Sequence, residues 1–231
     1  MWLLVVSAPL LPAIFMVSRH YRVKVSALCH RALAWALRLL RGRVCVKSTH
    51  AFIFSRCTHG KADSVLQTYD LYADTHPSLC ISPHTSGVLE EVVQRVRPPL
   101  VLELGMHCGY SSVRLLRLLP PAGRLITVEL DPLTAELGEE IILVSGFKHS
   151  QFQSGADGPR PQQYLPDLLS LEREELPRPS GCSVLLIHRK QRDLREILDH
   201  IGARPDCYCI KSERQGVTEI FYQRGSTGLD R

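Results

Sequence analysis

Residues 101–112 read VLELGMHCGYSS, and the fold is decided there. Residues 100–104 form a short apolar run with Glu103 inside it, starting directly after Pro98-Pro99. Such a run, bounded by turn residues, predicts a buried parallel strand. Gly105 and Gly109 follow, where the chain can turn sharply and a ligand can approach bare backbone. Ser111 and Ser112 stand where a helix over 112–119 should begin, as N-caps, and Pro120-Pro121 should end it. Strand, glycine turn and helix N-terminus make the first unit of a nucleotide-type α/β fold.

The run RLITVEL at 124–130 predicts the second strand, and its Glu129 lies 24 positions after Gly105. A carboxylate there can accept hydrogen bonds from a ribose diol. Dinucleotide binders and S-adenosylmethionine (AdoMet)-dependent methyltransferases share this spacing. Gly105-x-x-x-Gly109 is not G-x-G-x-x-G, so a loose turn around methionine and adenosine fits better than a pyrophosphate cradle. The plain alternative is a βαβ unit whose glycines serve only the turn.

The string LELGMHCGYSSVRLLRLLPPAGRLITVELDP also resembles the catechol O-methyltransferase family, and in layout its membrane-anchored branch, the transmembrane O-methyltransferases. The resemblance runs from about residue 64 to 147 and resumes near Leu185. It implies a Rossmann-like AdoMet-dependent methyltransferase sheet with helices on both faces. It also implies methyl transfer to a catechol hydroxyl, as in catecholamine metabolism. By the same resemblance, AdoMet would contact Ile81, Glu103, Gly105, Gly109, Tyr110, Ser111, Glu129, Leu130, Gly155, Asp157 and His188. Asp157 stands where the family's Gly-Ala-Ser turn has serine, and Arg189 where it has an aromatic residue. Lys190 matches the catalytic lysine.

The family's magnesium site is not matched. The resemblance puts Ile187 at the first ligand Asp, and the Asp-Asn pair after the fifth strand has no counterpart. The chain holds no asparagine at all, and the resemblance implies that the fifth-strand segment is missing, since the expected last helix passes almost directly to the terminal hairpin. No metal ligands are therefore assigned, although the family implies Mg2+. Without a metal, a lysine near its ordinary pKa of ~10.4 is a poor base at neutral pH. The alternative to catalysis is a membrane-anchored relative that binds a membrane-protein partner, and a weaker one is a truncated product. Asp193, Asp199 and His200 do not converge as a substitute site.

Charge divides the chain. Residues 1–62 hold ten Lys or Arg and no acid, which leaves 63–231 with 18 basic and 23 acidic residues. A basic flank of this kind suits a membrane surface with lipid as partner and argues against nucleic acid. Residues 2–17 are apolar and uncharged, short for a span of about 17–25 residues, but snorkelling Arg19 and Arg22 can extend them. A cleaved signal peptide is the rival, but the basic residues follow the apolar run instead of preceding it. The expected organisation is an anchor at 1–24, a basic amphipathic segment at 25–61 and a methyltransferase-like domain at 62–231. The positive-inside rule puts the domain in the cytosol, at the endoplasmic reticulum or plasma membrane. In the segment, Leu33, Leu37, Leu40 and Val44 share a helical face; a helix packed on the domain is the plainer reading. The eight cysteines include no C-x-x-C pair, which suits idle thiols in a reducing compartment.

Further elements follow from pattern. Helices are expected at 62–73, 88–97, 132–144, 162–175 (start delayed by Pro166) and 191–201, and strands at 150–154 and 183–187. Residues 75–87, rich in Pro, Ser and His, read as a loop. Residues 208–210 and 218–222 could pair as a hairpin across a long loop.

Overall fold

The computed structural model describes residues 46–76, 81–156, 164–178, 181–188 and 194–223. The chain divides into two units, Met1–Cys45 and Val46–Arg231, and the description concerns the second. The expected anchor and most of the basic amphipathic segment lie outside the described residues. Among the described residues no helix is long and apolar enough to cross a membrane.

Helical residues 46–56 (α1) lead into α2 (Ala62–Thr75) and α3 (Pro83–Val96). The loop expected over 75–87 is thus partly helix. Ser82 accepts a hydrogen bond from the Thr85 N–H and Pro83 holds the first helical position, so this stretch carries a complete start signal. Next come β1 (Leu100–Leu104), α4 (Tyr110–Leu118), β2 (Arg124–Val128), α5 (Pro132–Val144) and β3 (Phe152–Gly155). Asp131 starts α5 by the same device, capping Thr134 ahead of Pro132. β1, β2 and β3 pair in parallel in that order, with Leu102 opposite Ile126 and Ile126 opposite Gln153.

One face of this sheet is covered by α2, α4 and α5. Val113, Leu125, Ile141 and Ile142 are fully buried there with Val65, Tyr69 and Ile53. Each such aliphatic side chain contributes roughly 1.5–3 kcal/mol by leaving water. On the opposite face Leu100, Leu102 and Leu104 remain 51, 39 and 39% exposed.

The second half is built differently. α6 (Tyr164–Arg173), β4 (Cys182–Ile187), α7 (Arg195–Gly202), β5 (Tyr208–Arg214) and β6 (Val217–Tyr222) enclose a core of Leu168, Leu186, Leu194, Ile197, Ile201 and Ile220. β6 lies between β4 and β5 and is antiparallel to both. β4 hydrogen-bonds directly to β6, with no further strand between them among the described residues. The long hairpin loop expected over 211–217 is instead strand with a two-residue turn. Gln215 and Gly216 sit at φ 51° and 79°, the left-handed pair that matches strand twist.

Arg95 of α3 donates to both carboxylate oxygens of buried Glu219 on β6 (2.7 Å each), which ties the second sheet to α3. The five described cysteines, Cys57, Cys108, Cys182, Cys207 and Cys209, are free thiols.

Candidate active site

The site is assembled at the carboxyl ends of the parallel strands, where an open α/β sheet binds its ligands. After β1 the chain turns through Gly105 and Gly109, at φ 89° and 84°. Gly109 caps α4, and the Gly138 carbonyl oxygen of α5 lies 2.9 Å from where a Cβ on Gly109 would stand. Between the glycines His107 also adopts a left-handed φ of 50°. That is uncommon outside glycine, although histidine is among the residues that tolerate it.

This conformation points the His107 N–H at the Glu129 carboxylate, 2.8 Å away. The other Glu129 oxygen accepts from the Leu130 N–H at 2.8 Å. The Glu129 N–H donates to the Gly155 carbonyl at 2.9 Å, and the Gly105 N–H to Val128 at 2.7 Å. Glycine turn, acid, Leu130 and Gly155 therefore meet at one edge.

Ser111 and Ser112 do not cap α4 as expected. Both hydroxyls donate to Glu103, joined by Thr127 Oγ1 at 2.7 Å. A carboxylate enclosed under the turn needs donors more than an exposed helix end does. Burial pushes the Glu103 carboxyl above its usual range, and the three hydroxyls oppose that shift.

Tyr110 is buried, with its hydroxyl donating to Asp70 at 2.7 Å and accepting from Arg114 at 2.7 Å. Burial is the main reason its phenol is pushed up. Arg114 continues to Glu90, so α2, α3 and α4 share one polar network beside the turn. Nothing in the one-dimensional pattern marks Asp70, Glu90 or Arg114 as partners, since they come from three helices.

Ile81 packs against the first core just before α3. His188 follows β4, and its N–H donates to the Gly216 carbonyl at 2.9 Å. Asp157 and Lys190 lie outside the described residues. A cleft of about 320 Å³ beside Gly155 is lined by Pro132, Glu136, Glu139, Leu143 and Ser154, along α5.

Magnesium finds no fitting donor set among the described residues. The carboxyl end of β4 carries apolar Ile187, and the direct β4–β6 pairing leaves no intervening strand to bring further ligands. Among the described residues no three His, Cys, Asp or Glu gather as a metal site.

The O-methyltransferase family model matches residues 64–159. The human transmembrane O-methyltransferase is 33% identical over 205 residues, spanning 78% of this chain and 69% of the relative. The rat transmembrane O-methyltransferase homolog is 30% identical over 193 residues, or 73% of each. Mouse catechol O-methyltransferase is 37% identical over 90 residues, spanning 38% of this chain and 34% of the relative. Two solved structures share the fold. The O-methyltransferase TomG of Streptomyces achromogenes, determined in complex with SAM, has a TM-score of 0.52 at 20% identity, covering 71% of this chain and 89% of that one. A Geobacter sulfurreducens methyltransferase has a TM-score of 0.54 at 15% identity, with coverage of 71% and 89%. With its glycine turn and strand-end acid brought together, and with relatives of this identity and coverage, the chain belongs to the O-methyltransferase family.

Proposed function

We propose that the chain binds AdoMet at the carboxyl edge of β1–β2–β3 and transfers its methyl group to a phenolic oxygen. The observation that carries this reading is the 2.8 Å contact between the His107 N–H and the Glu129 carboxylate, which fixes the acid over the glycine turn. Bound there, AdoMet would supply a methyl group activated by its sulfonium. Glu129 retains lone pairs for the ribose diol. Gly105 and Gly109 leave backbone open to the methionine, Glu103 with Ser111 holds the turn from below, and Leu130, Ile81 and Gly155 offer apolar and backbone surface to the base. Tyr110 holds the turn through its hydroxyl network, and His188 lies at the next strand end. Asp157 and Lys190 stay assigned by resemblance alone, to the adenine side and to proton removal.

The relatives' names supply the acceptor class, a catechol, and the setting, a membrane. In this reading residues 1–24 anchor the chain and 25–61 lie against lipid, with 62–231 as the enzyme. The test is transfer of labelled methyl from AdoMet to phenols by the full chain. Labelled product supports the reading, and its absence with intact AdoMet binding favours a membrane-bound relative that binds a protein partner. Carbonate extraction of expressing cells checks the anchor, which predicts retention in the membrane pellet.

A further inference from the structure

Two neighbouring residues of α2 reach the glycine turn and grip it on either side of Gly109. The Tyr69 hydroxyl donates to the Cys108 carbonyl, and its ring meets that of Tyr110 edge-on, with centroids 5.1 Å apart. Asp70 accepts from the Tyr110 hydroxyl at 2.7 Å, and the same hydroxyl accepts from Arg114 at 2.7 Å. Arg114 stands one turn further along α4, with its guanidinium carbon 4.8 Å from the centroid of the Tyr110 ring. Its two terminal nitrogens divide between carboxylates: Nη1 donates to Glu90 of α3, and Nη2 lies 3.8 Å from Asp70.

The turn needs such a hold. Gly105, His107 and Gly109 all lie at positive φ, and a residue with a side chain, as His107 has, persists there only where its surroundings fix it. α2 holds the chain at the residue before Gly109 and at the residue after it. The grip on Tyr110 is two-sided. Its hydroxyl donates to a carboxylate and accepts from a guanidinium, and hydrogen bonds to charged partners are roughly twice as strong as neutral ones. Burial pushes the phenol up, so the hydroxyl keeps the proton it donates. The Asp70 side chain is itself 44% exposed, so its place in the network is not that of a core filler.

Resting on the AdoMet reading above, we propose that Asp70 and Arg114 are positioning residues for the cofactor. Through the Tyr110 hydroxyl they fix the backbone around Gly109 in the shape that accepts the methionine half of AdoMet. They act through the turn and not on the cofactor itself, which makes α2 part of the cofactor-binding machinery.

The test is calorimetric titration of AdoMet into full-chain variants whose folding is checked by circular dichroism. Asp70→Ala should raise the Kd about 10-fold, the lower end of what a hydrogen bond to a charged group is worth, because Asp70 is partly solvated. Asp70→Asn keeps an acceptor for the Tyr110 hydroxyl and should recover most of that loss. Tyr110→Phe should match Asp70→Ala, and the double variant should be no worse than either, because both changes open one clamp. Arg114→Gln should act in the same direction and Arg114→Lys less. Arg95→Ala weakens the fold away from the turn and should leave the Kd unchanged, which separates positioning from a general loss of stability. Should Asp70→Ala fail to fold, Tyr110→Phe keeps the ring packing and decides alone. The proposal is overturned by an unchanged Kd in Tyr110→Phe or in folded Asp70→Ala, by losses that multiply in the double variant, by conservative variants that recover nothing, or by an equal loss in Arg95→Ala. Failure of the unmodified chain to bind AdoMet is a separate result: it removes the cofactor reading and this inference with it.

Discussion

The parallel strands β1–β2–β3 and the antiparallel strands β4–β6–β5 end in different chemistry. The first three end in a glycine turn, an acid and backbone groups bonded to one another. The second three end in a hairpin tip braced by Thr85 and His188. In the first half the local pattern is that of a nucleoside site. In the second, β6 lies directly against β4, and the carboxyl end of β4 carries apolar Ile187. Each half buries its own core, so the geometry at one sheet's end does not depend on that at the other's.

The comparison can be broken first at Gly109. Its positive φ and its 2.9 Å approach to Gly138 leave no room for a side chain. Gly109→Ala should cost about 3 kcal/mol of stability, read by denaturant unfolding, and should remove AdoMet binding with it. Glu129→Ala removes both the ribose acceptor and the brace on His107. AdoMet affinity should fall about 100-fold, near 2.7 kcal/mol, with the fold retained by circular dichroism.

In the second half, Arg95→Ala strands the buried Glu219 carboxylate. Because Arg95 is itself half exposed, the expected loss is about 1–2 kcal/mol in thermal or denaturant melts, without change in AdoMet affinity. Ile187→Asp should confer no magnesium-dependent transfer, since one carboxylate does not make a site where no partner ligands stand among the described residues.

The smallest effect sharpens the first half. Burial raises the folded-state pKa of Glu103 above its unfolded value. Its contribution to stability is therefore fully present below the unfolded pKa and is lost as pH rises through the folded one. Melts of the unmodified chain should show a decline over that interval that Glu103→Gln lacks.

Much of the first half is legible in sequence because its signals are local. The glycines, the spacing to Glu129 and the Asp131-Pro132 helix start each lie within one or two elements. Ser82-Pro83 carries the same start signal but is masked by a stretch rich in Pro, Ser and His. Ser111 and Ser112 mislead for a different reason. Their capping preference is a local property, and the enclosed Glu103 overrides it from the preceding strand. The hairpin shows the same limit. Gln215-Gly216 is a weak turn signal beside Asn-Gly, so strands reaching 214 and 217 read as a long loop. The contacts of Thr85 with Gln215 and of Arg95 with Glu219 span more than a hundred residues, and no periodicity encodes them.

The most direct measurement is calorimetric titration of AdoMet into the purified full chain, with and without EDTA. The expected result is one site per chain, unchanged by chelator and lost in Glu129→Ala. Absence of binding, or binding that survives Glu129→Ala undiminished, would contradict the assignment of the turn and acid as the cofactor site.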